Sequence, residues 1–251
     1  MEKFKPPSNV LAIKKIETRK DLIKQPPLSE AGHIPRINTS TVLSGRSGAG
    51  KSLCLVNLLT RPELLGGAFN DIFLISPSGN SDDIQKALNL PEDNVFTDVM
   101  EGIEHVENVL NMNRVVIESL GADKAPKFAV VFDDCIGDRK LMNHPFFVKS
   151  FIACRHYNAS TFICTQSFTA VPRRCRLQCS NVIMFGCSHD EQIILAETFT
   201  PARYSKREFV DIINAATKEK YSFLYINLTE PQRTRYRRNF DTILTLDRFA
   251  E

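Results

Sequence analysis

The chain has 251 residues, 43% hydrophobic and 24% charged, a balance that excludes wholesale disorder, collagen and coiled coil and leaves one large globular domain or two small ones. Lys and Arg number 32 against 29 acidic residues, so the net charge of +3 does not by itself argue for a nucleic-acid partner. The longest wholly apolar runs, such as residues 128–132, fall far short of the roughly 20 residues that a membrane-spanning helix needs.

Residues 1–35 carry Pro6, Pro7, Pro26, Pro27 and Pro35 among scattered lysines, with poor helical patterning. They are expected to form a basic arm ahead of a domain at 36–251. Lys3 and Lys5 are followed by Pro6 and Pro7 rather than by the apolar stretch of a signal peptide. Seven cysteines, an odd number lying mostly in apolar stretches, read as reduced thiols, so a cytoplasmic location is expected.

Beyond the arm, short apolar runs alternate with segments of helical period. Strands are predicted at 40–43, 72–75, 128–132, 161–164, 182–185 and 223–226, with helices at 51–59, 101–117, 145–154, 190–198 and 206–216. In the second helix Ile103, Val106, Leu110 and Ile117 recur at a spacing that predicts one buried face. Strands interleaved with helices predict an α/β fold, a mainly parallel sheet sandwiched between helices.

The first strand runs into Gly45-Arg46-Ser47-Gly48-Ala49-Gly50-Lys51-Ser52, which fits G-x-x-x-x-G-K-[ST] with the strand before it and the helix after it that the motif requires. Such a loop turns its backbone N–H groups inward around the phosphates of a nucleotide, and the helix presents the positive end of its dipole. Lys51 is expected to reach the β and γ phosphates, and the Ser52 hydroxyl to hold Mg²⁺.

The strand at 128–132 ends in Asp133-Asp134. Two carboxylates at the end of a buried strand are hard to justify as packing, whereas a metal beside a phosphate loop justifies both. Asp133 is expected to support Mg²⁺ and Asp134 to polarise the attacking water. The strand at 161–164 ends at Thr165-Gln166-Ser167, where Gln166 can hydrogen-bond the γ-phosphate or the lytic water.

From Arg155-His156 to Gln166, then through Val171-Pro172, Arg176 and residues 181–185, the chain resembles the FtsK/HerA superfamily of DNA-pumping ATPases, and within it the poxvirus-type genome-packaging ATPases of large DNA viruses and virophages. The resemblance spans about residues 36–226. It implies an ATP-driven ring, a hexamer or pentamer, that moves double-stranded DNA into a preformed capsid, with a capsid or portal-like component as a further partner. It also implies host cytoplasm, a viral factory or the virion as the place of work. An arginine at the position of Arg155 typically enters the neighbouring subunit's site in that family. Arg176 is a second candidate, although Gln178 stands where family members more often carry Asn.

Two rival functions share the phosphate loop: a nucleoside or nucleotide kinase, and a nucleotide-bound assembly protein without turnover. A GTPase is disfavoured, because no Asn-Lys-x-Asp sequence occurs. Cys175, Cys179, Cys187 and His189 have an irregular spacing for zinc and read better as core thiols. Residues 233–238 form the densest basic run; as a strand it would align Arg233, Arg235 and Arg237 on one face, either a comb for DNA phosphates or a charged edge.

Overall fold

The computed structural model describes residues 23–77, 81–135, 137–201 and 204–245, so the expected arm lies outside the described residues over positions 1–22. In chain order the elements are α1 (Pro27–Glu30), β1 (Ser40–Ser44), α2 (Lys51–Thr60), β2 (Asp71–Ile75), α3 (Ser81–Leu88), β3 (Val95–Phe96) and α4 (Val99–Leu120). There follow β4 (Phe128–Asp133), α5 (Arg139–Asn143), α6 (Pro145–Ile152), β5 (Ala159–Thr165), α7 (Arg173–Arg176) and β6 (Asn181–Met184). The chain closes with α8 (His189–Phe199), α9 (Lys206–Ala216), β7 (Leu224–Asn227), β8 (Tyr236–Arg238) and β9 (Thr242–Ile243).

Among the described residues the strands form one sheet in the order β3-β2-β4-β5-β1-β6-β7-β8-β9. The six strands from β3 to β6 are parallel, and β7, β8 and β9 extend the sheet antiparallel. The central strands β1, β4 and β5 are buried along their whole lengths, as helices on both faces require. Their side chains alternate between two cores. Val130 and Phe132 pack with α4, α6, α8 and α9, whereas Ala129 and Val131 pack with α2 and α3.

Each predicted strand and helix is present, with ends shifted by a few residues. The predicted helix at 101–117 starts two residues earlier, because the Asp98 carboxylate accepts bonds from the amides of Met100 and Glu101; those bonds hold its carboxyl below the usual range. Its buried face carries Ile103, Val106, Leu110 and Ile117, joined by Asn113, whose side-chain amide donates to the carbonyls of Pro126 and Tyr157. The predicted helix at 145–154 stops at Ile152 and gives way to a 3₁₀ turn, Cys154–Tyr157. Ile23, Ile34 and Ile37 cover the core on the α2 side.

The basic run at 233–238 is not a comb. Only residues 236–238 are strand, and β8 lies inside the sheet between β7 and β9 rather than at its edge. Arg237 is 3% exposed, Arg235 donates to the carbonyl of Glu230, and Arg238 pairs with Glu219 at 3.4 Å.

Candidate active site

The parallel strands β1, β4 and β5 deliver three loops to one end of the sheet, in register: Ser44 lies beside Thr165, and Asp133 beside Cys164. The loop after β1 is anchored by the Gly45 amide donating to the Thr165 carbonyl (3.2 Å) and by the Ala49 amide donating to the Arg46 carbonyl (3.1 Å). Gly48 (φ 73°) and Gly50 (φ 104°) take left-handed conformations open to glycine at little cost. Gly50 is also the N-cap of α2, and no side chain caps that helix, so its first amides are left for an anion. Gly45 is buried, while Arg46, Ser47, Gly48 and Ser52 are exposed and Ala49 and Gly50 half-buried.

Two aromatic residues bound the loop, neither of which its own sequence announces. A Cβ on Gly45 would stand 2.6 Å from Cβ of Phe185, and one on Gly50 would stand 3.1 Å from the ring of Tyr221. At Gly45 the backbone is thus closer to Phe185 than a side chain permits, and at Gly50 a side chain would press on the Tyr221 ring. Lys51 folds across its own loop and donates from Nζ to the carbonyls of Gly45 (2.6 Å) and Arg46 (3.0 Å).

Asp133 closes β4 at 7% exposure. Burial first, then the adjacent Asp134, pushes its carboxyl above the usual range, while Lys51 acts in the opposite sense. A buried carboxylate of this kind is short of a cation, and the donor chemistry of Asp133 with the exposed Ser52 hydroxyl fits Mg²⁺. Asp134 leaves the strand in a left-handed conformation (φ 53°), with its amide bonded to the Cys164 carbonyl. Its exposed carboxylate accepts from Gln166 Nε2 at 3.3 and 3.5 Å.

Glu191 holds the segment after Gln166. Its Oε1 accepts from the Ser167 hydroxyl (2.7 Å) and from the Phe168 amide (2.9 Å), tying the first turn of α8 to the end of β5. In sequence Glu191 reads only as an acid favoured by the dipole of its own helix.

The structure therefore brings together the loop at 45–52, Asp133, Asp134 and Gln166. It does not bring Arg155 to them. Arg155 is exposed on the 3₁₀ turn that precedes β5, so all seven residues of that strand separate it from Gln166, about 23 Å at the usual strand rise. Arg176 lies nearer the segment after Gln166: its guanidinium is 5.6 Å from the centre of the Phe168 ring, and burial together with Arg173 holds its pKa below the usual range. The seven cysteines are free thiols; Cys175 and Cys179 are core residues, and burial pushes them up to about 11 and about 12.

Among the described residues no helix is long and apolar enough to cross a membrane. No curated protein matches the sequence. Solved structures with a similar fold include the genome packaging NTPase B204 of Sulfolobus turreted icosahedral virus 2 in complex with ATP-gammaS, at 16% identity over 82% of this chain and 98% of that one (TM-score 0.53). The same protein in complex with AMPPCP matches at 16% identity over 76% and 93% (TM-score 0.52). The cytoplasmic domain of the type VII secretion ATPase EccC from Thermomonospora curvata matches at 12% identity over 82% of this chain and 24% of that one (TM-score 0.54). These likenesses establish a P-loop NTPase fold. The family of the poxvirus A32 protein matches residues 35–235, and the chain accordingly belongs to that family, the poxvirus-type genome-packaging ATPases.

Proposed function

We propose that this protein is an ATP-driven motor that moves double-stranded DNA into a preformed viral capsid. The observation that carries the reading is the meeting of a phosphate loop, an acidic strand end and a glutamine at one edge of the sheet, on β1, β4 and β5. Residues 36–251 form the ATPase domain, and the basic, proline-containing stretch at 1–35 leads into it, with Ile23 and Ile34 packed on the core of that domain.

ATP binds with its phosphates in the loop at 45–52. The backbone amides and the uncapped N-terminus of α2 supply the positive potential, and Lys51 exchanges its two carbonyl partners for the β and γ phosphates. Ser52 and Asp133 would hold Mg²⁺, which when bound neutralises charge on the phosphate oxygens. Asp134 accepts the proton of the attacking water. Gln166, bonded to that carboxylate, fixes its direction and contacts the γ-phosphate.

The reaction is completed by assembly. Arg155, a strand's length from its own phosphate loop, acts on the site of the next subunit in a hexameric or pentameric ring and stabilises the charge that develops on the transferred phosphoryl group. Arg176 is the second arginine for that role. The ring works in the host cytoplasm, a viral factory or the virion, against a capsid or portal-like partner.

Asp134→Asn tests the assignment. ATP binding should persist while turnover falls at least about 100-fold, the lower end of what a positioned base contributes. Unchanged turnover refutes the role of Asp134.

A further inference from the structure

Tyr221 sits where its chain is least at ease. It has φ 67°, a left-handed conformation that is an outlier for a bulky aromatic residue and that persists only where its surroundings enforce it. The enforcing structure is a tight turn. The Ser222 amide and hydroxyl both donate to the Glu219 carbonyl (3.1 and 2.7 Å), the Glu219 amide donates back to the Ser222 hydroxyl, and the Glu219 carboxylate pairs with Arg238. Ser222 and Phe223 are buried directly behind it. The turn nevertheless leaves Tyr221 52% exposed, with one ring edge against Gly50 of the phosphate loop and Lys220 Nζ 4.8 Å from the ring centre.

The order of the sheet gives this exposed ring a use. Asp133, Asp134 and Gln166 end β4 and β5, on one side of β1, so a nucleotide bound with its γ-phosphate toward them extends in the opposite sense, toward β6 and β7. Tyr221 lies three residues before the start of β7, and Leu224, the first residue of β7, pairs with Met184 at the end of β6, on the loop's edge of the sheet. Leu53, also exposed, stands on the first turn of α2, one turn from Gly50.

We infer that Tyr221 is the stacking platform for the nucleobase of the bound nucleotide, held beside the phosphate loop by the turn at 219–222. The inference rests on the nucleotide-binding reading above and adds the recognition of the base to that of the phosphates. A π-face accepts any base, so the platform favours purines over pyrimidines through stacking area while separating adenine from guanine only weakly.

Calorimetric titration of the full chain with ATP and with inorganic tripolyphosphate, which has no base, tests the inference. Tyr221→Ala and Tyr221→Asn should each weaken ATP binding roughly ten-fold, about what one stacking contact supplies, and leave tripolyphosphate binding unchanged, while Tyr221→Phe keeps wild-type affinity for both. Asn accepts a left-handed backbone, so its loss of affinity separates the ring from the strain. Equal ATP affinity in the Ala variant, or an equal loss for both ligands, overturns the platform and leaves the phosphate site standing. Wild-type protein that binds neither ligand overturns the nucleotide-binding reading itself, and the platform with it.

Discussion

The phosphate loop rests on Phe185, and removing that ring should be felt both in stability and in nucleotide affinity. The side chain is 1% exposed, lies 5.2 Å from Phe223 between ring centres, and stands 3.6 Å from where a Cβ on Gly50 would be. Phe→Ala at such a site costs about 3–5 kcal/mol, the transfer of the ring plus the cavity it leaves. A protein of this length loses about 2–4 °C per kcal/mol, so the midpoint of thermal unfolding should fall by about 6–20 °C. Because the ring also backs the loop, ligand-free Phe185→Ala should bind ATP at least about ten-fold more weakly, by roughly 1.4 kcal/mol. Phe185→Leu, which retains most of the volume, should lie much nearer wild type on both scales. Differential scanning calorimetry and ATP titration of the three proteins give the answer. A midpoint within 3 °C of wild type in the Ala variant, or unaltered ATP affinity despite a large fall, refutes the reasoning that the loop is supported from beneath by this ring.

Asp133 should show the opposite trade. Its carboxyl is raised by burial and by Asp134, so the folded protein holds the proton more tightly than the unfolded chain; ligand-free stability is fully present below the unfolded pKa of 3.8 and falls as pH rises through the folded value. Asp133→Asn should therefore melt about 2–8 °C above wild type at pH 7 in chelator, from relief of about 1–2 kcal/mol, while losing Mg²⁺-dependent turnover; thermal scans between pH 4 and pH 8 should show the advantage vanish toward the acid end. Glu191→Ala removes the acceptor for the Ser167 hydroxyl and the Phe168 amide, and should lower kcat about ten-fold or more while changing the dissociation constant for ATP less than two-fold. Steady-state kinetics beside equilibrium titration separate the two quantities, and a pure affinity defect would remove Glu191 from the positioning of Gln166.

What could be read in the sequence was local. The loop at 45–52 announces itself by its own glycines, and β4 by an unbroken apolar run that ends in two carboxylates. Helix α4 shows its buried face by periodicity because a single stripe of it meets the sheet. Features made by contacts between distant segments were not legible: Phe185 reads as one more strand residue and Tyr221 as a residue between elements, until the sheet places β6 beside β1 and β7 beside β6. The arginines at 233–238 were misleading for a related reason. Alternation assigns side chains to faces but does not tell an edge strand from an interior one, and β9 covers the side on which an edge would lie. Strands of two residues, such as β3 and β9, are too short to carry a pattern at all.

The ATPase rate per subunit across protein concentration, with and without linear double-stranded DNA, for wild type and Arg155→Ala, tests most directly whether this chain works as a DNA-stimulated ring. A DNA-stimulated ring with its arginine acting between subunits predicts a rate that rises with both concentration and DNA and collapses in the variant while ATP binding is retained. A rate indifferent to DNA and to concentration, and undiminished in Arg155→Ala, would contradict it.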